Sequence, residues 1–360
     1  MSSIGFWIKN ARSISLPQSA LPCLTAIVLC IGQEGFVWWL ALPVLLGICA
    51  AHLGMNLADD YFDYKHDSRT RADINSNSVR ARMEKCHYLI KGEETQNDDV
   101  KKATVSQLGW AIVGFLGFAA LMGAFAFVAQ WLIHGWQAAM GIVIYALLGL
   151  FVGINYSGKP LELGYHGLGE LVIGLMFGPL NMLGVQAALT GATFSWPMLC
   201  MSVGIGCMVT NIVYVHSVME VNADAELGKM TFARLLCGNN QQSKIGNQLM
   251  IIFIGLFAII PFILLGLGIA MGWWSIWYLL TLATLPMSIY LIHSTRLFAY
   301  GLPRNDSPYW WMGPMGDWET YKKAGIDWFL YRWLLARNIC TFFCLILMIV
   351  HIIQLIIKQL

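Results

Sequence analysis

The chain is expected to fold as an all-α polytopic membrane bundle of nine transmembrane helices, in a single integral membrane domain over residues 1–360. Three observations predict this. The composition is 58% hydrophobic and only 12% charged, whereas a soluble domain carries about 25% charged residues. Apolar runs long enough to cross the hydrocarbon layer as helices recur along the chain. When nine crossings are counted, the basic residues gather on one side, the pattern that marks cytoplasmic loops.

In chain order, the first dozen residues, with Trp7, Lys9 and Arg12, read as an interfacial lead-in. They lack a small-residue cleavage site, so no cleavable leader is expected. Apolar runs follow at 16–33, 37–58, 107–130, 138–155, 165–189, 195–219, 247–270, 274–295 and 333–356. The run at 138–155 is short, and the charge pattern decides that it is a span. Nine spans put Lys9, Arg12, the loop from Lys65 to Lys102, Lys159, Lys229, Arg234, Lys244, Arg296, Arg304, Lys322, Lys323, Arg332 and Arg337 on one side; of 22 Lys and Arg only Lys358 falls on the other. The expected placement is the cell (inner) membrane, with the N-terminus and the long loops 68–105 and 297–331 cytoplasmic. Gly301, Pro303, Pro308, Gly313, Pro314 and Gly316 break up the second loop, and Trp310, Trp311 and Trp318 read as an interfacial belt. The nine cysteines lie mostly in apolar runs without paired ligand spacing, so they read as packing residues. The net charge of +2 gives no reason to expect a nucleic-acid partner, and no protein partner is evident.

Two stretches carry the chemistry. Asn56-Leu-Ala-Asp-Asp-Tyr-Phe-Asp-Tyr-Lys-His-Asp67 ends the second run. Residues four apart share a helix face, so Asp59, Asp63 and Asp67 form an acidic stripe. Like charges this close repel, and nearby lipid makes isolated charge costly. A hard divalent cation relieves both problems, and Mg²⁺ takes oxygen ligands and bridges to phosphate. The other reading is a solvated helix end just outside the bilayer. The second stretch, His216-Ser-Val-Met-Glu220-Val-Asn222-Ala-Asp224-Ala-Glu226-Leu-Gly228-Lys229-Met-Thr231, ends the sixth run and places Glu220 and Asp224 on one face. Two acidic helix ends on one membrane side, each followed by a basic loop, could hold a diphosphate between metal ions. Lys65, Arg82, Lys91, Lys159 and Lys229 are the candidates for its phosphate oxygens, or equally topology charges. An allylic prenyl diphosphate held in this way would ionise to a carbocation and alkylate an electron-rich ring, provided the site is dry.

These residues resemble the UbiA superfamily of intramembrane aromatic prenyltransferases, and within it the 1,4-dihydroxy-2-naphthoate polyprenyltransferase branch. The likeness rests on Ala11-Arg-Ser-Ile-Ser-Leu-Pro17 with Leu21-Pro22, on Asn56-Leu-Ala-Asp-Asp-Tyr-Phe-Asp63, on Tyr156-Ser-Gly-Lys-Pro160 with Leu163-Gly-Tyr-His-Gly-Leu-Gly-Glu170 and Phe177-Gly-Pro179, and on Gly228-Lys-Met-Thr231. It runs from about residue 5 to 240. The chain departs from the family where Asp59 replaces the motif's Asn, where Glu220 replaces the leading Asp, and where Asn222 replaces the branch's middle acid. The branch's Asn-Asn-x-Arg-Asp reads His216-Ser-Val-Met-Glu220, and the loop from Ser68 to Tyr88 lacks the usual Gly-Pro-Arg pattern.

The resemblance implies helices around a central cavity and Mg²⁺-dependent transfer of a polyprenyl group to an aromatic acceptor, as in menaquinone biosynthesis. It implies Asp63, Asp67, Glu220 and Asp224 as catalytic. Asp59, Asp63 and Asp67 would hold one metal; Glu220 and Asp224 would hold the second. Asn56, Tyr156, Lys159, Lys229 and Arg82 would face the substrates. Two other readings stand beside this one: a diverged paralogue, either with another acceptor or binding isoprenoid without catalysis, and a membrane transporter. The acids cluster at one face with no acidic path across, which argues against transport.

Overall fold

The computed structural model describes residues 3–65, 88–89, 103–226, 228–238 and 243–359. Nine helices among them are long and apolar enough to cross a membrane: α1 Ser13–Cys30, α2 Trp38–Lys65, α3 Val105–His134, α4 Trp136–Ser157, α5 Gly169–Thr190, α6 Trp196–Met219, α7 Lys244–Ala270, α8 Ile276–Ala299 and α9 Asp327–Lys358. Each expected run is found. The ends differ where polar residues belong to a helix that hydropathy cuts short. α2 continues to Lys65, so Asp59, Asp60 and Asp63 are helical. The short fourth run is a full helix of 22 residues.

Local chemistry sets the boundaries. Pro17, Pro197 and Pro286 sit in the first turns of the α-helical stretches Pro17–Cys30, Trp196–Met219 and Leu285–Ala299, where proline is accommodated. Thr104 and Gln107 form a reciprocal cap at the start of α3. Gly191, with φ +72°, closes α5, a conformation that favours glycine.

α6 is the most enclosed span and α3 the most exposed. α6 packs against α5, α7 and α9, while α2 packs chiefly on α3. The centre of the bundle holds Ile205, Val209, Tyr214, Leu335, Phe343 and Leu347, all at most 1% exposed. α5 approaches α6 through glycine. A Cβ on Gly178 would lie 2.5 Å from both the Ser202 carbonyl oxygen and the Gly206 Cα. Such close backbone contact is how helices associate where lipid removes the hydrophobic drive. The next residue, Pro179, lies in a single widened turn, Met176–Leu180.

The expected loop 297–331 is shorter than its bounds. α8 runs to Ala299, α9 starts at Asp327, and a one-turn helix, Trp318–Lys323, lies between them. Hydropathy starts α9 late because Asp327, Arg332 and Arg337 count against a span. Arg332 is nevertheless fully buried. Its Nη2 donates to Asp306 at 2.6 Å, its Nη1 to the Trp328 carbonyl at 2.8 Å and its Nε to the Ser294 carbonyl at 3.3 Å. Of the tryptophans expected at the interface, Trp310 is 91% exposed. Trp311 instead packs edge-on against Tyr290 at 5.2 Å. The eight described cysteines carry no disulfide.

Candidate functional site

The end of α2 presents Asn56, Asp59, Asp60 and Asp63 on one side, since steps of three, four and seven return to the same helix face. Asp60 is 1% and Asp63 9% exposed. Carboxylates buried to this degree need partners, and the rest of the molecule supplies them. Arg12 Nη2 donates to the Asn56 carbonyl at 2.9 Å and to Asp59 Oδ2 at 3.1 Å, and lies 3.4 Å from Asp60 Oδ1. The Arg12 backbone is left-handed, φ 57°, a strained conformation for a residue with a side chain. Ser157 Oγ, at the end of α4, donates to Asp59 Oδ1 at 2.6 Å. The Tyr88 phenol donates to Asp60 Oδ2 at 3.1 Å, and the Tyr165 phenol donates to Asp63 Oδ1. Asn56 Nδ2 donates to the Ala11 carbonyl at 2.9 Å and to Ser15 Oγ at 3.2 Å, fixing the N-terminal segment to α2. One turn deeper, the His52 ring lies between Ser19 Oγ at 2.6 Å and Ser15 Oγ at 3.2 Å.

The second acidic end forms where α6 stops at Met219 and the chain turns through Glu220 into the short helix Val221–Glu226. Glu220 is 3% exposed and Asp224 is fully buried. The Asp224 amide donates to the Glu220 carbonyl at 2.8 Å, so the two stand one helical turn apart. His216 Nε2 lies 3.5 Å from Glu220 Oε2, and Phe329 of α9 packs against that imidazole at 4.6 Å. Beyond the helix, the Lys229 amide donates to the Asp224 carbonyl at 2.8 Å. Arg234 Nη1 donates to the Asp224 and Lys229 carbonyls. Lys229 is half-buried and Lys159 is exposed.

One connection, residues 158–168 between α4 and α5, touches both ends. Tyr165 reaches Asp63. Gly167, at φ +78°, lies so close to the second segment that a Cβ would sit 3.3 Å from the Thr231 carbonyl oxygen. Glu170, 6% exposed in the first turn of α5, accepts the Phe232 amide with both oxygens at 3.2 Å. Tyr156 fills the inside of this connection: a Cβ on Gly164 would meet its ring at 3.3 Å, and one on Gly169 its hydroxyl at 3.3 Å. Tyr165 and Glu170 are separated by at most about 18 Å of extended chain. The two acidic ends therefore lie on the same face of the bundle.

The structure groups Asn56, Asp59 and Asp63 at the end of α2 and Glu220, Asp224 and Lys229 just after α6, with Tyr156 packed inside the connection that touches both segments and Lys159 exposed on it. Asp67 and Arg82 lie outside the described residues. Among the described residues, no three His, Cys, Asp or Glu side chains converge as a ready-made metal cage. Sequence reasoning missed Arg12, Asp60, Tyr165, Glu170 and Arg234 as site residues. In the sequence Arg234 reads only as a topology charge, and Arg12 as a topology charge within the Ala11–Pro17 stretch that carries part of the family likeness. Tyr165 and Glu170 stood inside the Leu163–Glu170 stretch that carries the family likeness, which was the available signal.

Comparison with known proteins agrees with this architecture. The family model described as UbiA prenyltransferase family matches residues 19–313. The chain is 28% identical over 233 residues to 1,4-dihydroxy-2-naphthoate octaprenyltransferase of Mycobacterium tuberculosis, covering 65% of this chain and 70% of that protein. It is 26% identical over 251 residues to 2-carboxy-1,4-naphthoquinone phytyltransferase of Synechocystis, covering 69% and 68%. The fold is similar to that of a UbiA homolog from Archaeoglobus fulgidus solved with GPP and Mg²⁺, with a TM-score of 0.50 at 13% identity, covering 92% of this chain and 99% of that one. The protein belongs to the UbiA prenyltransferase family and is a multi-pass membrane prenyltransferase.

Proposed function

We propose that this enzyme transfers a polyprenyl group from an allylic prenyl diphosphate to an aromatic acceptor of the 1,4-dihydroxy-2-naphthoate type, with Mg²⁺, at the cytoplasmic face of the cell membrane. One observation supports the reading: the segment whose Tyr165 bonds Asp63 also bonds, through Glu170, the Phe232 amide just beyond Glu220 and Asp224, so two carboxylate-bearing helix ends share one face. The donor set suits Mg²⁺, which is commonly bound by one or two carboxylates and completed by water and substrate phosphates rather than by an all-protein cage. Asp59 and Asp63, with Asp67, would hold one ion; Glu220 and Asp224 would hold the other.

The metal's contribution, when bound, is to offset charge on the departing diphosphate. The chain supplies the rest. Lys229 and Lys159 would take phosphate oxygens, with Arg82 a further candidate. Arg12 orients Asp59 and Asp60. The C–O bond from the prenyl carbon to diphosphate breaks, its electron pair leaving with the diphosphate. The allylic cation is then attacked by a ring carbon of the acceptor. With the naphthoate acceptor, the carboxylate-bearing carbon is alkylated and carbon dioxide departs. The apolar bundle beyond the acids excludes water that would quench the cation. The names of similar proteins support a naphthoate acceptor. The His216–Glu220 segment is one of the places where this chain departs from that branch.

The test is product formation by the full chain in lipid, using labelled prenyl diphosphate and 1,4-dihydroxy-2-naphthoate, with other hydroxylated aromatic acids as competing acceptors. Asp63→Ala and Asp224→Ala should each cut turnover by at least about a hundredfold, because several kcal/mol of charge stabilisation is lost. Undiminished turnover in either variant, or in the presence of a chelator, overturns the reading. Preference for another ring overturns only the acceptor.

A further inference from the structure

The acids are set by residues that hold no substrate in the reading above. Tyr165 donates its phenol to Asp63, the last described acid of the first motif. Three residues before the second anchor, Gly167 passes so near Thr231 that its neighbour's backbone leaves no room for a methyl group at ordinary distance. Glu170 then takes the Phe232 amide between its two oxygens. That amide opens the segment following Lys229, whose own amide is tied to the Asp224 carbonyl. One hydrogen bond therefore orients a carboxylate of the first motif, and another pins the backbone that trails the second. The pinned points are joined by a chain too short to drift, folded as a tight turn, Leu163–Tyr165, followed by the start of α5.

We propose that Tyr165 and Glu170 are positioning residues that together set the span between the two acidic motifs, and so the fit of a metal-bridged diphosphate. The proposal rests on the reading of Asp63, Glu220 and Asp224 as metal ligands. Tyr165 works on carboxylate orientation: its phenol occupies one oxygen of Asp63 and turns the other toward the metal. Partners of this kind are worth 10- to 100-fold in metal affinity at well-studied sites, about what is expected here. Glu170 works on backbone placement: with its carboxylate gone, the buried Phe232 amide loses its acceptor and the Lys229 segment can shift.

The experiment titrates the full chain in nanodiscs with Mn²⁺ and inorganic diphosphate, reading bound Mn²⁺ by electron paramagnetic resonance. Unfolding temperature and the KM for prenyl diphosphate are measured alongside. Tyr165→Phe should weaken Mn²⁺–diphosphate binding about tenfold and raise KM, with kcat at saturation and unfolding temperature near those of the parent. Glu170→Ala should raise KM similarly, while Glu170→Gln, which keeps an oxygen for the Phe232 amide, should restore it. Asp63→Asn and Asp224→Asn are the controls for the ligand reading and should abolish binding. If both controls abolish binding and Tyr165→Phe titrates like the parent, the Tyr165 role is overturned and the ligand reading stands. If Glu170→Ala lowers only the unfolding temperature, with binding and KM unchanged, the Glu170 role is overturned. If the controls bind normally, the ligand reading itself falls, and the positioning proposal with it.

Discussion

Among the described residues, Arg12 is the cation that meets the first acidic cluster. Its guanidinium serves Asp59, Asp60 and the Asn56 carbonyl at once. A Lys cannot reproduce that planar fork. Arg12→Met leaves Asp60, 1% exposed, with a buried charge and one cation fewer, a loss of about 3 kcal/mol or more by comparison with other broken buried pairs. A thermal-shift measurement in detergent should show a clear drop for Arg12→Met and only partial recovery for Arg12→Lys. The chain alone could not show this. A basic residue near a membrane interface carries the same signature whether it faces solvent or reaches 47 positions onward to Asp59. The acids were easier to read, because Asp59, Asp63, Glu220 and Asp224 advertise their grouping through the helical period. Asp60, one position off the stripe, is buried because the Tyr88 phenol and Arg12 come to meet it, and neither contact leaves a trace in local spacing.

Helices were legible as units and less so at their ends. Hydropathy finds the middle of each span because the bilayer enforces apolar composition there. It stops early wherever a polar residue is satisfied by a distant partner, as Arg332 is by Asp306. The closeness of α5 and α6 was not readable either, since glycines occur throughout this chain and only some face a neighbour. Gly178 faces backbone that cannot yield, the Ser202 carbonyl and Gly206 Cα. Gly114 on α3 meets nothing within 4 Å. Gly178→Ala should therefore cost about 1–3 kcal/mol through overpacking, and Gly114→Ala should be neutral or slightly stabilising. Thermal unfolding of the two variants checks the contrast, and equal stability would contradict the packing described for α5 on α6.

For the whole molecule, an odd number of crossings puts the two ends of the described chain on opposite faces. A single cysteine introduced at Ser3 should be labelled by an impermeant maleimide only from the side carrying the acidic motifs, and one at Lys358 only from the other. Labelling of both from one side would refute the count of nine. This large-scale arrangement was the most legible property of the sequence, because every basic loop votes on it independently. The meeting of the two motifs was less so. It depends on the connection after α4, whose Tyr165 and Glu170 look like ordinary loop and helix-start residues until the fold brings Asp63 and Phe232 to them.

The short helix Ile4–Asn10 lies against Tyr88, with Phe6 and Trp7 ring centroids 5.9 and 5.8 Å from the Tyr88 ring. Tyr88 in turn donates to Asp60. The residues ahead of that helix are thus two aromatic contacts and one phenol away from the acidic cluster. Affinity handles and fluorescent fusions for this enzyme therefore belong behind α9, where the chain leaves the bundle on the far side of the bilayer from the chemistry.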